Sequence, residues 1–279
     1  MITDQETNTL YLADSLPKKQ KNFSQRFLNV LSVENIKVNY IPVTKDIWAV
    51  DYMPIQIDRK KFLQFVYNPD YLRGSKRWVG TISDVSEIMV SLGLEVSKSN
   101  IVLDGGNVIR WKNKVMMCTK IFKENPSYSE ENLIKTLENL FGIDQLIFIP
   151  QDPNDEIGHA DAMVRFLDGN TVLINDYSKE NKDFTLLFTS ALRKAGFNYE
   201  ILPYNPYRNR TYWEANGVYI NYLQMNGVLF VPVFNQIEDE KALAKMQSLF
   251  PHTKVVPVAS NEIAKQGGIL NCISWNILR

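Results

Sequence analysis

The sequence is poor in the residues that build metal sites and disulfide frameworks. It has two cysteines, Cys118 and Cys272, and two histidines, His159 and His252, in 279 residues. These four positions show no metal-ligand spacing, and two cysteines make no disulfide framework in a chain of this length. The sequence therefore predicts no structural metal site and no disulfide scaffold.

Net charge and long apolar runs are also missing. The 31 basic and 31 acidic residues cancel, so no overall field would recruit nucleic acid or an anionic membrane surface. No stretch is apolar enough to predict a membrane span, and the first residues, MITDQETNTL, carry acids where a secretory signal needs basic and then apolar residues. We therefore expect a cytoplasmic protein with no nucleic-acid or membrane partner.

One pattern of secondary structure recurs along the chain, with no low-complexity linker between its copies. In AMVRFLDGNTVLIN two alternating apolar runs flank Asp168-Gly169, which predicts a hairpin. The segment DFTLLFTSALRKA then predicts a helix that ends at Gly196, and YEILP predicts a strand. The predicted unit is strand, tight turn, strand, helix, strand.

Three further segments show the same unit. VYINYLQMNGVLFVPVF turns at Asn226-Gly227 and is followed by a helix near DEKALAKMQSLF and the strand TKVVPV. A hairpin over Lys112-Asn113 precedes a helix in SYSEENLIKTLENLFG, for which Ser127 and Glu130 suggest a capping box, and the strand QLIFIP. PIQIDRKKFLQFVY, SDVSEIMVSLG and NIVL form another copy.

A fifth copy is incomplete at the N-terminus. TLYLA, NFSQRFLNVL and KVNYIPV supply a strand, a helix and a strand, and the C-terminal tail can supply the missing first strand. The prediction is a closed, five-module pseudosymmetric α/β propeller, one domain over residues 1–279, with the C-terminal strand completing the N-terminal module. Hairpins make an open doubly wound sheet the weaker alternative.

Residues of catalytic type recur at one phase of this repeat. Asp51, Asp104 and Asp161 precede successive hairpins at intervals of roughly 55 positions, and Cys272 follows after about two more intervals. Equivalent positions of a closed ring face a common axis, so we expect these side chains and His159 to converge. The equivalent position in the remaining copy of the repeat lies near EANGVYIN, where Asn216 or Asn221 would add a polar contact.

At these positions the sequence resembles a known family. DIWAVDYMP, LDGGNV, DEIGHADAMVRF, ANGVYINYLQMNGVLFVP and GGILNCISW are similar, in order, to the motifs of the agmatine deiminase and bacterial-type peptidylarginine deiminase family of guanidine-modifying enzymes. The resemblance runs from about Trp48 to Trp275. It implies the fivefold α/β propeller called the pentein fold, and hydrolysis of a guanidino group to a ureido product and ammonia.

The resemblance also implies roles for single residues. Cys272 would be the nucleophile, forming a covalent amidino-thioether, and His159 would transfer protons. Asp104 would share the acid-base and orienting work, while Asp51 and Asp161 would hold the guanidinium. No metal or organic cofactor would be needed.

Three further residues are weaker candidates beside these. Trp48 would line the guanidinium site and make a cation–π contact with the ligand. The equal alternative is that Trp48 is an ordinary core residue. Asn107 would help to fix the site, whereas Arg165 would act mainly as the partner of a carboxylate.

Several alternatives stay open at this point. Val50 and Asn271 replace an arginine and a histidine that are frequent in relatives, so a catalytically silent guanidino- or amine-binding protein is a second hypothesis. An amidinotransferase would use the same covalent intermediate. The substrate could be agmatine, free arginine or an arginine side chain in a peptide; Arg73, Arg208 and Arg210 are the candidates for reading a carboxylate. The oligomeric state is open, a homo-oligomer included.

Overall fold

The structure is a computed structural model that describes residues 1–211 and 213–279. Its strands are β1 (Thr9–Ala13), β2 (Val38–Ile41), β3 (Ile55–Gln56), β4 (Phe62–Val66), β5 (Val96–Val102), β6 (Ile109–Trp111), β7 (Lys114–Cys118), β8 (Gln145–Ile149), β9 (Val164–Phe166), β10 (Thr171–Asn175), β11 (Asn198–Leu202), β12 (Leu223–Met225), β13 (Val228–Val233), β14 (Lys254–Ala259) and β15 (Ser274–Ile277).

The α-helices are α1 (Leu16–Lys19), α2 (Lys21–Val33), α3 (Ala49–Tyr52), α4 (Lys76–Val79), α5 (Val85–Leu92), α6 (Lys120–Glu124), α7 (Glu130–Phe141), α8 (Lys182–Lys194), α9 (Glu238–Leu249) and α10 (Asn261–Ala264). Short 3₁₀ helices lie at Asp4–Glu6, Asp70–Leu72, Gly105–Asn107, Ala160–Ala162 and Tyr177–Lys179.

Throughout the described residues the strands form five sheets of three strands each, in the orders β15-β1-β2, β3-β4-β5, β6-β7-β8, β9-β10-β11 and β12-β13-β14. In every sheet the middle strand is antiparallel to one neighbour and parallel to the other. A parallel pair needs a crossover, and α2, α5, α7, α8 and α9 each lie between the two parallel strands of a sheet. The five sheets fit the five-module arrangement that the repeated sequence pattern predicts.

The crossover helices bury one apolar face. Helix α7 buries Leu133, Leu137 and Phe141, a spacing that places them on one side of a helix. Its first turn is capped by Ser129, whose hydroxyl accepts a hydrogen bond from the backbone N–H of Asn132. The predicted capping box at Ser127 is therefore wrong, because the helix begins two residues later than that box requires.

The C-terminal tail is part of the first sheet. Strand β15 pairs antiparallel with β1, with Thr9 opposite Ile277 and Leu12 opposite Ser274. The indole Nε1 of Trp275 donates to the Pro54 carbonyl across 2.8 Å. These contacts hold the backbone just after Cys272, so the cysteine does not lie in a loose tail.

The segment that enters the first strand of each sheet supplies the residues of interest. Asp51 lies on α3, ahead of β3, and Asp104 precedes the 3₁₀ helix ahead of β6. His159 and Asp161 lie ahead of β9, and the other two sheets follow Asn221 and Cys272. In the described part of the chain, no helix combines the length and apolar character needed to cross a bilayer.

Candidate active site

His159 lies between two carboxylates. Its Nε2 is 2.9 Å from Oδ2 of Asp104, and its Nδ1 is 3.5 Å from Oδ1 of Asp51. All three side chains are buried. From the shorter contact we assign a proton to Nε2, donated to Asp104, which leaves Nδ1 directed towards Asp51. A second fixed contact orients Asp51, whose Oδ1 accepts from the backbone N–H of Gly106 at 3.1 Å.

Cys272 is held by Asn221. The thiol sulfur is 3.4 Å from Oδ1 of Asn221, and the same oxygen accepts from the backbone N–H groups of Asn271 at 3.2 Å and Cys272 at 3.4 Å. The sulfur is also 3.7 Å from Oδ2 of Asp161. A single amide therefore fixes both the backbone and the sulfur of the cysteine.

Asp161 is oriented by two amides. Its Oδ2 accepts from Nδ2 of Asn271 at 2.7 Å and from Nδ2 of Asn221 at 3.1 Å. Behind them, Nη1 of Arg165 donates to Oδ1 of Asn271 at 3.1 Å, and Nη2 is 2.6 Å from Oδ2 of Asp4. Arg165 thus pairs with a carboxylate, and Asn271 fills the place between this ion pair and Asp161.

The electrostatics favour a cationic ligand. Burial raises the pKa of Asp51 to about 7, a rise that Asp104 and Asp161 support and His159 opposes. Burial likewise raises the pKa of Asp161. For His159 burial would lower the pKa, but Asp51 and Asp104 outweigh it and raise that pKa to about 9. Protonated His159 offsets only part of the cost of ionising these buried acids, and a bound cation relieves more of it.

The thiol is protonated at neutral pH in the free protein. Burial raises the pKa of Cys272 well above its usual range, and the charges of Asp161 and Asp51 raise it further. Because Asp161 and Asp51 contribute to this rise, additional positive charge near these two acids would lower the thiol pKa and favour the thiolate, which is the nucleophilic form. A ligand cation placed between the two carboxylates would supply that charge.

These groups open into one cleft of about 810 Å³, which is lined by Asp51, His159, Asp161, Asn221, Cys272 and Trp48, among others. Trp48 lies against Gly268, where a Cβ atom would come within 2.6 Å of the indole Cζ3 and within 3.0 Å of the Cys272 sulfur. Only glycine leaves room for both side chains. The cleft has the size usual for a small-molecule site.

Three predicted site residues lie outside this cleft. Asp104 is buried behind His159, which it contacts directly. Asn107 turns away, since its Oδ1 accepts from the backbone N–H of Cys118 at 2.7 Å, and this bond makes it a structural residue rather than a substrate contact. Asn216 does not line the cleft either; its carbonyl accepts from Nδ2 of Asn209. Of the two asparagines proposed at that phase, Asn221 is the one beside the cysteine.

Sequence reasoning missed Lys120. Its ammonium lies 3.6 Å from Oδ2 of Asp104 and 3.4 Å from Oε1 of Glu124, and its side chain is 2% exposed. The spacing of Lys120 and Glu124 is that of an i,i+4 helix pair, in a segment that begins just after β7. The apolar residues Ile121 and Phe122 between them were the one sign that this pair is not an ordinary surface pair.

Comparison with known proteins places the chain in a family. Residues 1–277 match the model of the Porphyromonas-type peptidyl-arginine deiminase family. The chain belongs to this family, which confirms the resemblance seen in the sequence motifs.

Individual relatives are agmatine deiminases. The agmatine deiminase of Pseudomonas aeruginosa strain UCBPP-PA14 is 25% identical over 63% of this chain, and the match spans 56% of that relative's length. The solved agmatine deiminase of C. jejuni superposes with a TM-score of 0.81 at 21% identity, over 100% of this chain and 95% of the other. A cysteine-to-serine variant of the C. jejuni enzyme with substrate bound gives 0.81 at 20% identity, over 100% and 96%. These structures show that the fold is shared.

Proposed function

We propose that the protein hydrolyses a guanidino group to a ureido product and ammonia. The observation that carries this proposal is the convergence of Cys272, His159, Asp51 and Asp161 on one cleft. A guanidinium is a planar cation, and carboxylates at its edges can bind it through paired, charge-assisted hydrogen bonds. The pair of buried acids matches such a ligand in charge.

The proposed reaction begins with binding of the guanidinium between Asp51 and Asp161. Its charge offsets the two carboxylates that raise the pKa of the Cys272 thiol, so the thiol releases its proton to solvent water and the thiolate attacks the guanidinium carbon. Protonated His159 gives its proton to the departing amine, ammonia leaves and a covalent amidino-thioether remains. Neutral His159 then takes a proton from water, which adds to the same carbon and releases the ureido product and the thiolate.

Agmatine is the substrate that we propose first. The wall of the cleft contributes the acids Asp152, Asp155, Glu156, Glu180 and Glu214, whereas Arg210 is the single arginine or lysine among its described lining residues. Of the other arginines considered, Arg73 donates to the Asn68 carbonyl outside the cleft. An acidic wall favours an amine over a carboxylate at the far end of the substrate. The relatives named above are called agmatine deiminases, which also supports agmatine as the substrate.

We also propose that the five sheets close into a ring and form one domain. The pairing of β15 with β1 supports this, since it joins the last strand of the chain to the first sheet. A ring would bring the five entering segments to a common axis, which accounts for the meeting of Asp51, Asp161 and Cys272.

The test is ammonia and ureido-product release from agmatine, arginine and a blocked peptidylarginine. Cys272→Ala should abolish turnover, and Cys118→Ala should keep it, because Cys118 lies in the buried strand β7 outside the cleft. Binding without turnover by folded wild type would favour the silent binder. Transfer of the amidino group to an added amine, in place of hydrolysis, would favour an amidinotransferase.

A further inference from the structure

Lys120 is a buried cation next to the site but outside the cleft. Its Nζ donates to the Ile157 carbonyl at 2.7 Å and lies 3.4 Å from Oδ1 of Asp70. The ammonium is therefore surrounded by three carboxylates, those of Asp70, Asp104 and Glu124. Burial alone would lower the pKa of Lys120, but Asp104, Glu124 and Asp70 outweigh it and raise that pKa. The side chain is therefore an ammonium at neutral pH.

This ammonium touches two groups that each touch His159. Oδ2 of Asp104 lies 3.6 Å from Nζ of Lys120 and 2.9 Å from Nε2 of His159. The other oxygen, Oδ1, is buried and has no hydrogen-bond partner among the described residues. On the cleft side, Nζ lies 4.6 Å from the ring centre of Tyr71, and that ring lies 6.1 Å from the imidazole. The carboxylate is thus oriented by Lys120 and His159 together.

We propose that Lys120 is a positioning residue: its ammonium holds Asp104 and Tyr71 against His159, and its charge opposes protonation of the imidazole. Lys120 would set the pH range in which His159 can give and take a proton. The kinetic consequences rest on the proposed deimination, but the effect on His159 itself does not.

Five titratable groups face His159, each from a different segment. These groups are Asp51 on α3, Asp104 before the 3₁₀ helix Gly105–Asn107, Tyr71 in the 3₁₀ helix Asp70–Leu72, Lys120 on α6, and Asp161, which is two residues after His159 itself. The acids Asp51 and Asp104 raise the pKa of His159, and Lys120 lowers it. Loss of the ammonium should therefore raise that pKa above its value of about 9.

The experiment is a pH titration of the histidine side chains by NMR on protein labelled with ¹⁵N-histidine. The chain has two histidines, and His252 lies in an exposed turn, so it serves as an internal reference. In Lys120→Met the pKa of His159 should rise by roughly one unit, as expected for the loss of one nearby charge in a protein interior. His252 should not move, and Lys120→Arg, which keeps the charge, should restore the wild-type value.

Glu124→Gln is the matched control. It removes the other buried partner of Lys120, so it disturbs the same cluster but deletes a negative charge. Because it deletes a negative charge, it should lower the pKa of His159, in the direction opposite to Lys120→Met. If Lys120 had a purely structural role, Lys120→Met and Glu124→Gln should lose the same thermal stability, and they should not shift the pKa of His159 in opposite directions. Lys120→Gln, which can still donate to the Ile157 carbonyl, replaces Lys120→Met if the latter does not fold.

Turnover gives a second readout. In Lys120→Met the fall in kcat/KM at high pH should move upward with the pKa of His159, and turnover at pH 7 should drop by roughly 10–100-fold, as is usual when a residue that orients a catalytic group is lost. An unchanged His159 titration in a folded Lys120→Met or Lys120→Gln protein would overturn the proposal. Because the titration needs no substrate, it gives this answer even if deimination fails.

Discussion

The amide oxygen of Asn221 lies 3.4 Å from the sulfur of Cys272, and it also accepts two backbone N–H bonds on the cysteine segment. A side chain from the segment that enters one sheet thus sets the position of Cys272, the proposed nucleophile, in the segment that enters another. Nδ2 of Asn221 also donates to Oδ2 of Asp161 at 3.1 Å, and Nδ2 of Asn271 donates to the same oxygen at 2.7 Å. Asn221 therefore contacts both the sulfur and the carboxylate, whereas the Asn271 side chain binds the carboxylate and Arg165.

Asn221→Ala and Asn271→Ala should separate these roles. Asn221→Ala removes the side-chain acceptor that holds the sulfur and the cysteine segment, so kcat should fall by roughly 10–100-fold, and it removes one hydrogen bond from Asp161, so KM should rise as well. Asn271→Ala removes a charge-assisted hydrogen bond from Asp161, so KM for a guanidino substrate should rise by about tenfold. Steady-state kinetics measure both. A fall in kcat that is as large in Asn271→Ala as in Asn221→Ala would contradict the special role of Asn221 at the sulfur.

The pH dependence of kcat/KM should be bell-shaped. Binding of a guanidinium needs ionised Asp51, so activity should rise as the pH passes about 7, and His159 must carry a proton, so activity should fall as the pH passes about 9. In Asp104→Asn the upper limb should move to lower pH, because a carboxylate that raises the pKa of His159 is lost. An upper limb that stays in place would exclude His159 as the acid.

The repeated hairpins could be predicted from sequence because turn chemistry is local. Asn226-Gly227 lies between β12 and β13, with Gly227 at a φ of 77° that glycine tolerates, and Lys112 at a φ of 47° makes the turn between β6 and β7. The convergence of Asp51, Asp161 and Cys272 on one cleft could be anticipated because each precedes the first strand of a sheet.

The direction of single side chains could not be read from their neighbours. Asn107 follows Asp104 closely in sequence, but the intervening 3₁₀ turn directs its amide to the backbone of Cys118. Lys120 lies in the polar-looking segment TKIFKEN, and only the tertiary meeting of Asp70, Asp104 and Glu124 makes its burial tolerable.

Alkylation of Cys272 should depend on the charge of the reagent. Burial and the carboxylates raise the thiol pKa, so neutral iodoacetamide should react slowly, while a cationic haloacetamidine brings its own positive charge to Asp51 and Asp161. In Asp161→Asn the preference of Cys272 for the cationic reagent over the neutral one should decrease. The neutral reagent should react faster and the cationic reagent more slowly than with the wild type. Mass spectrometry with Cys272→Ala as the blank measures both rates; an unchanged ratio in Asp161→Asn would contradict the electrostatic account.

Gly268→Ala should impair the site through contact alone. The added methyl would lie 2.6 Å from the Trp48 ring and 3.0 Å from the Cys272 sulfur, so one of them must move, and turnover should fall by at least about tenfold because the sulfur must lie within reach of the bound carbon. Gly74→Ala is the matched control, since its methyl would meet no atom within 4 Å. Wild-type turnover in Gly268→Ala would show that the wall formed by Trp48 is not needed.

Asp51→Asn should stabilise the fold while it removes activity. The pKa of Asp51 is raised from 3.8 to about 7 in the folded state, chiefly by burial, so ionisation of Asp51 destabilises the fold increasingly as the pH rises from about 4 to 7. Asparagine carries no such charge, and its side-chain oxygen can still accept from the backbone N–H of Gly106. At pH 8 the melting temperature should rise by several degrees, on the scale of roughly 2–4 °C per kcal/mol for a domain of this size.

The gain in melting temperature should shrink towards pH 5, where Asp51 is already protonated in the folded wild type. Thermal denaturation at the two pH values tests this, and Asp144→Asn is a suitable control because Asp144 is exposed and does not line the cleft. A melting temperature that falls equally at pH 8 and pH 5 in Asp51→Asn would mean that Asp51 supports the fold as an ionised group. In that case the empty site would carry no electrostatic cost, and the match between its buried acids and a cationic substrate would lose its physical basis.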